Sequence, residues 1–229
     1  MKGRFISFEG GEGCGKTTHI ALLAKRLQSM GIETVLTREP GGTPLCEAIR
    51  GILQFDAGGE PPTPEAEALL FCASRAQLVS NVIRPALKRG AWVLCDRFAD
   101  STLAYQGYGR GFDLATLRAI LRFATGGLSP DATFLLEVSA ATRDSRLCVR
   151  YGSGIGADRF EREQDDFHRR VREGFEALAD EEPGRIVRIS TERAPAETAA
   201  EIWSTVESRF SDSLSACAAG ASSMEASGC

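Results

Sequence analysis

The chain has 229 residues, 43% hydrophobic and 25% charged, enough to bury one sizeable core and of a length that favours one domain over two. A net charge of −4 and a pI near 5.4 argue against a broad nucleic-acid footprint, leaving small phosphorylated ligands in a local basic groove as the better partners. Seven scattered cysteines without a C-x-x-C, only two histidines (His19 and His168), no apolar leader and no bilayer-length apolar run give neither a disulfide framework nor a zinc site nor a membrane anchor, and set a cytoplasmic, reducing compartment as the expectation.

The first element is a strand near Phe5–Glu9. It runs into Gly10-Gly11-Glu12-Gly13-Cys14-Gly15-Lys16-Thr17, a match to G-x-x-x-x-G-K-[ST], and Thr18 opens a helix-like run to Met30 that Gly31 should cap. Strand, glycine-rich loop and helix in this order form a phosphate-binding loop. Glycines let backbone N–H groups converge on an anion, and the helix N-terminus adds positive potential. Lys16 should reach the β- and γ-phosphates of a nucleoside triphosphate, and the Thr17 hydroxyl should ligate Mg²⁺.

Further strands are expected near Glu33–Thr37, Trp92–Asp96, Thr133–Glu137 and Ile186–Ile189, with helical spacing between them. Alternation of this kind implies a parallel sheet covered on both faces. Asp56 to Pro64 reads as a loop, and its Asp56-Ala57-Gly58-Gly59, formally a D-x-x-G, is off a strand end and is treated as chance. Pro64 starts a long helix through Leu69, Leu70 and Leu78, which Pro85 should kink or end. Tyr151 to Ala157 is a glycine-rich interruption between helical stretches, either a mobile lid or a plain surface loop. From Ser211 to Cys229 the chain turns to Ser, Ala and Gly and reads as a disordered tail, leaving a domain over 1–210.

Two chemistries use such a loop: transfer to a small molecule, and hydrolysis as a switch. A GTP switch needs a base-reading N-K-x-D, which this chain lacks. A small-molecule kinase must instead hold a second phosphorylated molecule opposite the loop, which calls for arginines. Arg38 and Arg97 close the second and third strands, at the edge where open parallel sheets bind ligands. Asp96 is placed either as an indirect Mg²⁺ ligand or as the ion-pair partner of a neighbouring arginine. Phe71 and Arg75, one helical turn apart, share a helix face, as do Ser101 and Tyr105; an aromatic such as Phe71 is as readily a core residue as a stacking one.

Four blocks in order resemble the thymidylate (dTMP) kinase family of the bacterial type: Phe8 to Thr18, Thr37-Arg38-Glu39-Pro40-Gly41-Gly42-Thr43, Leu70 to Gln77, and Asp96-Arg97-Phe98-Ala99-Asp100-Ser101-Thr102-Leu103-Ala104-Tyr105-Gln106-Gly107. The similarity runs from Lys2 to about Phe210. It implies an α/β nucleoside monophosphate kinase fold with a five-stranded parallel sheet, a small lid at about 148–160, Mg²⁺, a homodimer, and transfer from ATP to dTMP giving ADP and dTDP for dTTP synthesis. By resemblance, Phe71 stacks on thymine, Arg75 contacts its O4, Ser101, Tyr105 and Gln106 lie around the base and deoxyribose, and Arg38 and Arg97 hold the dTMP phosphate. Glu12 then organises the acceptor through the sugar hydroxyl, a bridging arginine or a water. Members with an arginine directly after that acid use it at the transferring phosphoryl; here Gly13 stands there, and Arg150, with Arg146 one turn earlier, matches the arginine that other members place in the lid. Arg159 is a candidate structural anchor of the lid. Two alternatives stay open: a kinase preferring another base, and a P-loop NTPase that acts as a regulated binding module.

Overall fold

β1 (Phe5–Glu9), β2 (Thr34–Arg38), β3 (Trp92–Asp96), β4 (Ala132–Glu137) and β5 (Ile186–Ser190) pair in parallel in the order β2-β3-β1-β4-β5. This is a computed structural model, and it describes residues 2–55, 59–152, 159–160 and 163–225, with the backbone alone for 150–152 and 216–225. Helices α1 (Lys16–Ser29), α2 (Pro44–Phe55), α3 (Pro64–Leu78), α4 (Arg84–Lys88), α5 (Ala99–Thr102), α6 (Leu114–Thr125), α7 (Ala140–Gly152), α8 (Asp165–Glu181) and α9 (Pro195–Glu225) connect and cover the sheet. The expected α/β architecture is present, with strand ends shifted by one residue at most.

Side chains alternate across the sheet with the two-residue period of a strand, and both faces are apolar. Ile6, Phe8, Leu94 and Phe134 face Leu23 and Leu27 of α1 and Ile202, Val206 and Phe210 of α9. On the opposite face Phe5, Val93 and Cys95 meet Leu78, Ile83 and Phe98, and Leu135 joins a cluster with Leu117 and Leu121 of α6 and Phe167, Val171 and Phe175 of α8. The strand order reverses around β1, so its carboxyl end opens a crevice between β3 and β4. The phosphate-binding loop sits at that point.

One expectation is narrowed and one is corrected. Pro85 does not end its helix: the stretch Val79–Ile83 widens to π-type turns, with the Arg84 N–H reaching the Val79 carbonyl, and helix resumes as α4. Widening the turn accommodates a residue that has no N–H and a bulky ring. The packed chain also does not stop at Phe210. Helix α9 kinks there (φ −126°, ψ 24°) and continues, with Leu214 buried in the α1–α9 core and the Ser213 hydroxyl accepting from Arg4 Nε at 2.9 Å. A single leucine in a Ser/Ala-rich segment is too weak a periodic signal to reveal this packing.

Candidate active site

The loop's geometry follows from its glycines. Gly10 has φ +128°, and a Cβ there would lie 2.3 Å from the Leu136 carbonyl oxygen; Gly15, at φ +89°, turns the chain into α1. Lys16 is buried, and its Nζ donates to the carbonyls of Gly10 (3.1 Å) and Gly11 (2.9 Å). Burial and the nearby Arg97 disfavour its charge, but Cys14, Glu12 and Asp96 outweigh them and its pKa is raised. It is a cation held at the loop.

A cavity of about 480 Å³ opens beside this loop, lined by Glu12, Gly13, Gly15, Lys16, Thr17 and Thr18 on one side. Its other side carries all the residues assigned to the acceptor: Arg38, Phe71, Arg75, Arg97, Ser101, Tyr105 and Gln106. Gly10, Gly11 and Cys14 line a neighbouring cavity that shares Glu12 and Tyr105 with the first.

Arg97 is the junction of the site. It adopts φ +69°, an uncommon conformation for a non-glycine residue, which re-aims its side chain after β3. Its guanidinium donates to Glu12 Oε1 (2.5 Å), Ser101 Oγ (3.1 Å) and the Tyr105 hydroxyl (3.1 Å). Burial opposes the charge on Arg97, but Tyr105, Glu12, Glu9 and Asp96 around it push its pKa well up. Arg38 is about half exposed and ion-paired with Glu47 at 2.9 Å. Thr17 Oγ1 lies 3.4 Å from Asp96 Oδ2, so a hydroxyl and a carboxylate oxygen share the loop side of the cavity; these hard oxygen donors fit a Mg²⁺ ion that takes its remaining ligands from phosphate and water.

Arg75 is 1% exposed and donates to Glu39 Oε2 from Nε (2.8 Å), to Thr102 Oγ1 from Nη1 (3.0 Å) and to the Phe98 carbonyl from Nη2 (3.0 Å), with the Glu39 carboxylate also 2.6 Å from Nη2 in a buried ion pair. A guanidinium has five N–H donors, and these three bonds use one on each nitrogen, so Nη1 keeps a second hydrogen. Ser101 donates its own hydrogen to Glu9 Oε2 (2.6 Å), which makes it a brace for Arg97. Gln106 donates Nε2 to Glu67 Oε1 at 2.8 Å.

Sequence reasoning did not single out Glu9 or Glu39. Glu9 ends β1 on the sheet face opposite α1 and accepts from the Phe98 N–H (2.7 Å) as well as from Ser101. Burial, reinforced by Asp100, pushes its pKa up to about 7. An acid closing an apolar strand is the signal that could have revealed it. Arg146 takes a definite place: its guanidinium donates to the carbonyls of Gly13 (3.1 Å) and Thr191 (2.7 Å), locking α7 to the loop. Arg150 lies on α7, with its side chain outside the described residues, as is the glycine-rich stretch 153–158.

A family model described as thymidylate kinase matches residues 8–202. Thymidylate kinase from Synechococcus sp. (strain JA-2-3B'a(2-13)) is 52% identical over 206 residues, covering 90% of this chain and 95% of that protein. The thymidylate kinase of Rhodopseudomonas palustris (strain ATCC BAA-98 / CGA009) is 48% identical over 210 residues, covering 92% of this chain and 91% of its own length. Among solved structures, the crystal structure of thymidylate kinase from Ehrlichia chaffeensis superposes with a TM-score of 0.73 at 34% identity, over 90% of this chain and all of that one. This chain belongs to the thymidylate kinase family.

Proposed function

We propose that the chain transfers the γ-phosphoryl group of ATP to dTMP, giving ADP and dTDP for dTTP synthesis. The observation that carries this reading is one cavity with a phosphate-binding loop on one wall and Phe71, Arg75, Arg97 and Tyr105 on the other. One oxygen of the dTMP phosphate forms the new P–O bond, and the bond from the γ-phosphorus to its bridging oxygen breaks, with ADP taking the electron pair. Positioning and charge neutralisation dominate such a transfer, so no strong general base is required.

In this scheme the loop N–H groups and Lys16 hold the triphosphate, while Arg97 and Arg38 hold the acceptor phosphate. Phe71 stacks on thymine, the remaining Nη1 hydrogen of Arg75 donates to O4, and Tyr105 and Gln106 close the side of the base and sugar. Ser101 acts by bracing Arg97. Thr17 and Asp96 are the residues that would hold Mg²⁺, whose chemistry is to neutralise charge on the phosphates. The lid is assigned by resemblance to about 148–160, of which 153–158 lie outside the described residues; its role is to bring Arg150 to the ATP phosphates and exclude water so that transfer outruns hydrolysis. The enzyme works as a cytoplasmic homodimer by family analogy; none of its described helices is long and apolar enough to cross a membrane.

The reading is tested by following ADP formation with ATP and Mg²⁺ in the presence of dTMP, dUMP, UMP, CMP, GMP or AMP in turn. Strong stimulation by dTMP, with weaker or no stimulation by dUMP, is expected. Preference for another monophosphate would remove the base-reading roles of Phe71 and Arg75 and leave the phosphate clamp.

A further inference from the structure

Glu67 is 1% exposed and lies on the same face of α3 as Phe71 and Arg75, one and two turns ahead of them. An acid in the first turn of a helix ordinarily faces water and complements the helix dipole. This one points inward and gathers donors from two other parts of the chain. Its Oε1 accepts from Gln106 Nε2 (2.8 Å), and its Oε2 is 2.7 Å from Arg159 Nη2 and 3.2 Å from Arg110 Nη2.

Arg159 belongs to the connection between α7 and α8. Its Nε also donates to the Leu53 carbonyl at 3.0 Å, and its guanidinium lies 4.7 Å from the ring centroid of the adjacent Phe160. Phe160 is buried, with its ring centroid 5.6 Å from that of Phe71 and 6.1 Å from that of Tyr105. A chain of contacts therefore runs from a buried carboxylate, through an arginine, to the rings that line the acceptor side of the cavity.

We propose that Glu67 is a positioning residue for the acceptor nucleotide: by holding Arg159 it seats Phe160 against Phe71 and Tyr105 and so shapes the pyrimidine slot. This rests on the dTMP reading of the cavity. Removing the Glu67 charge frees Arg159 and Arg110 from a buried partner and loosens the Phe160 buttress, while the phosphate-binding loop keeps its own contacts. The effect should fall on the acceptor and spare ATP.

The experiment is steady-state kinetics of Glu67→Gln, Arg159→Gln and the double variant, with folding checked by thermal denaturation. Arg159→Gln leaves Glu67 bonded to Arg110 and Gln106, so it carries the test if Glu67→Gln does not fold. We expect KM for dTMP to rise roughly tenfold in each single variant, KM for ATP to stay within about twofold, and the double variant to be no worse than the single ones. Folded variants with an unchanged KM for dTMP, or with both KM values rising in parallel, would overturn the inference. If the wild-type enzyme phosphorylates dTMP and the variants do too with unchanged KM, this inference alone falls. If the wild-type enzyme ignores dTMP, the proposed function falls with it.

Discussion

Arg97 Nη2 lies 2.5 Å from Glu12 Oε1, although 85 positions separate the two residues in the chain. The phosphate-binding loop and the end of β3 thus meet in one partly buried ion pair. A carboxylate among phosphates is repelled unless it has its own cation, and Arg97 is that cation.

The two residues should act as a unit. Arg97→Ala is expected to lower kcat/KM for dTMP by about 10²- to 10³-fold, and Glu12→Gln by about tenfold. The double variant should be no worse than Arg97→Ala alone, because Glu12 works through the arginine. Additive losses in a double-mutant cycle would contradict this coupling.

Two of the arginines of α7, Arg146 and Arg150, should separate kinetically. Arg146 is fixed to the Gly13 and Thr191 carbonyls, so Arg146→Ala should mainly raise KM for ATP. Arg150→Ala should lower kcat by roughly 10³-fold, as loss of an arginine finger does. Near-normal turnover in the Arg150 variant, measured at saturating substrates, would move the role elsewhere.

Glu9 gives a pH signature. Its carboxyl titrates at about 7 in the folded protein, against an ordinary value of 4.5, so the native state keeps this proton after the unfolded chain has lost it. Stability is therefore unaffected by Glu9 below pH 4.5, declines through the window up to pH 7, and is level above it, by about 3 kcal/mol at most. Glu9→Gln lacks this decline. Urea unfolding should show the variant gaining on the wild type between pH 4.5 and pH 7, and a pH-independent difference between them would contradict the assignment.

The end of α9 contributes to the core. A chain cut after Phe210 loses Leu214 from the cluster and Ser213 from Arg4, and should be less stable by about 2 kcal/mol in denaturant. Leu214→Ala should lower stability in the same direction. Equal stability of the shortened and full chains would restore the boundary at Ser211.

Much of this was legible in the residues. The loop around Lys16, the strand-ending arginines and the sheet class are written in local patterns, since glycine at positive φ, a two-residue apolar period and an arginine after a strand are all short-range signals. Long-range pairing is not written that way. Glu39 and Glu67 look like ordinary acids until the fold brings Arg75 to one and Arg159 to the other, 36 and 92 positions away. Ser101 reads as a base contact because it shares a helix face with Tyr105, and only the Glu9 carboxylate shows where its hydrogen goes.

The most direct test follows the label from γ-³²P-ATP with Mg²⁺ and dTMP. The account predicts that the label appears in dTDP, in equal amount to the ADP formed, with little inorganic phosphate. Label released as inorganic phosphate at the same rate with and without dTMP would contradict it, leaving a P-loop NTPase on this fold.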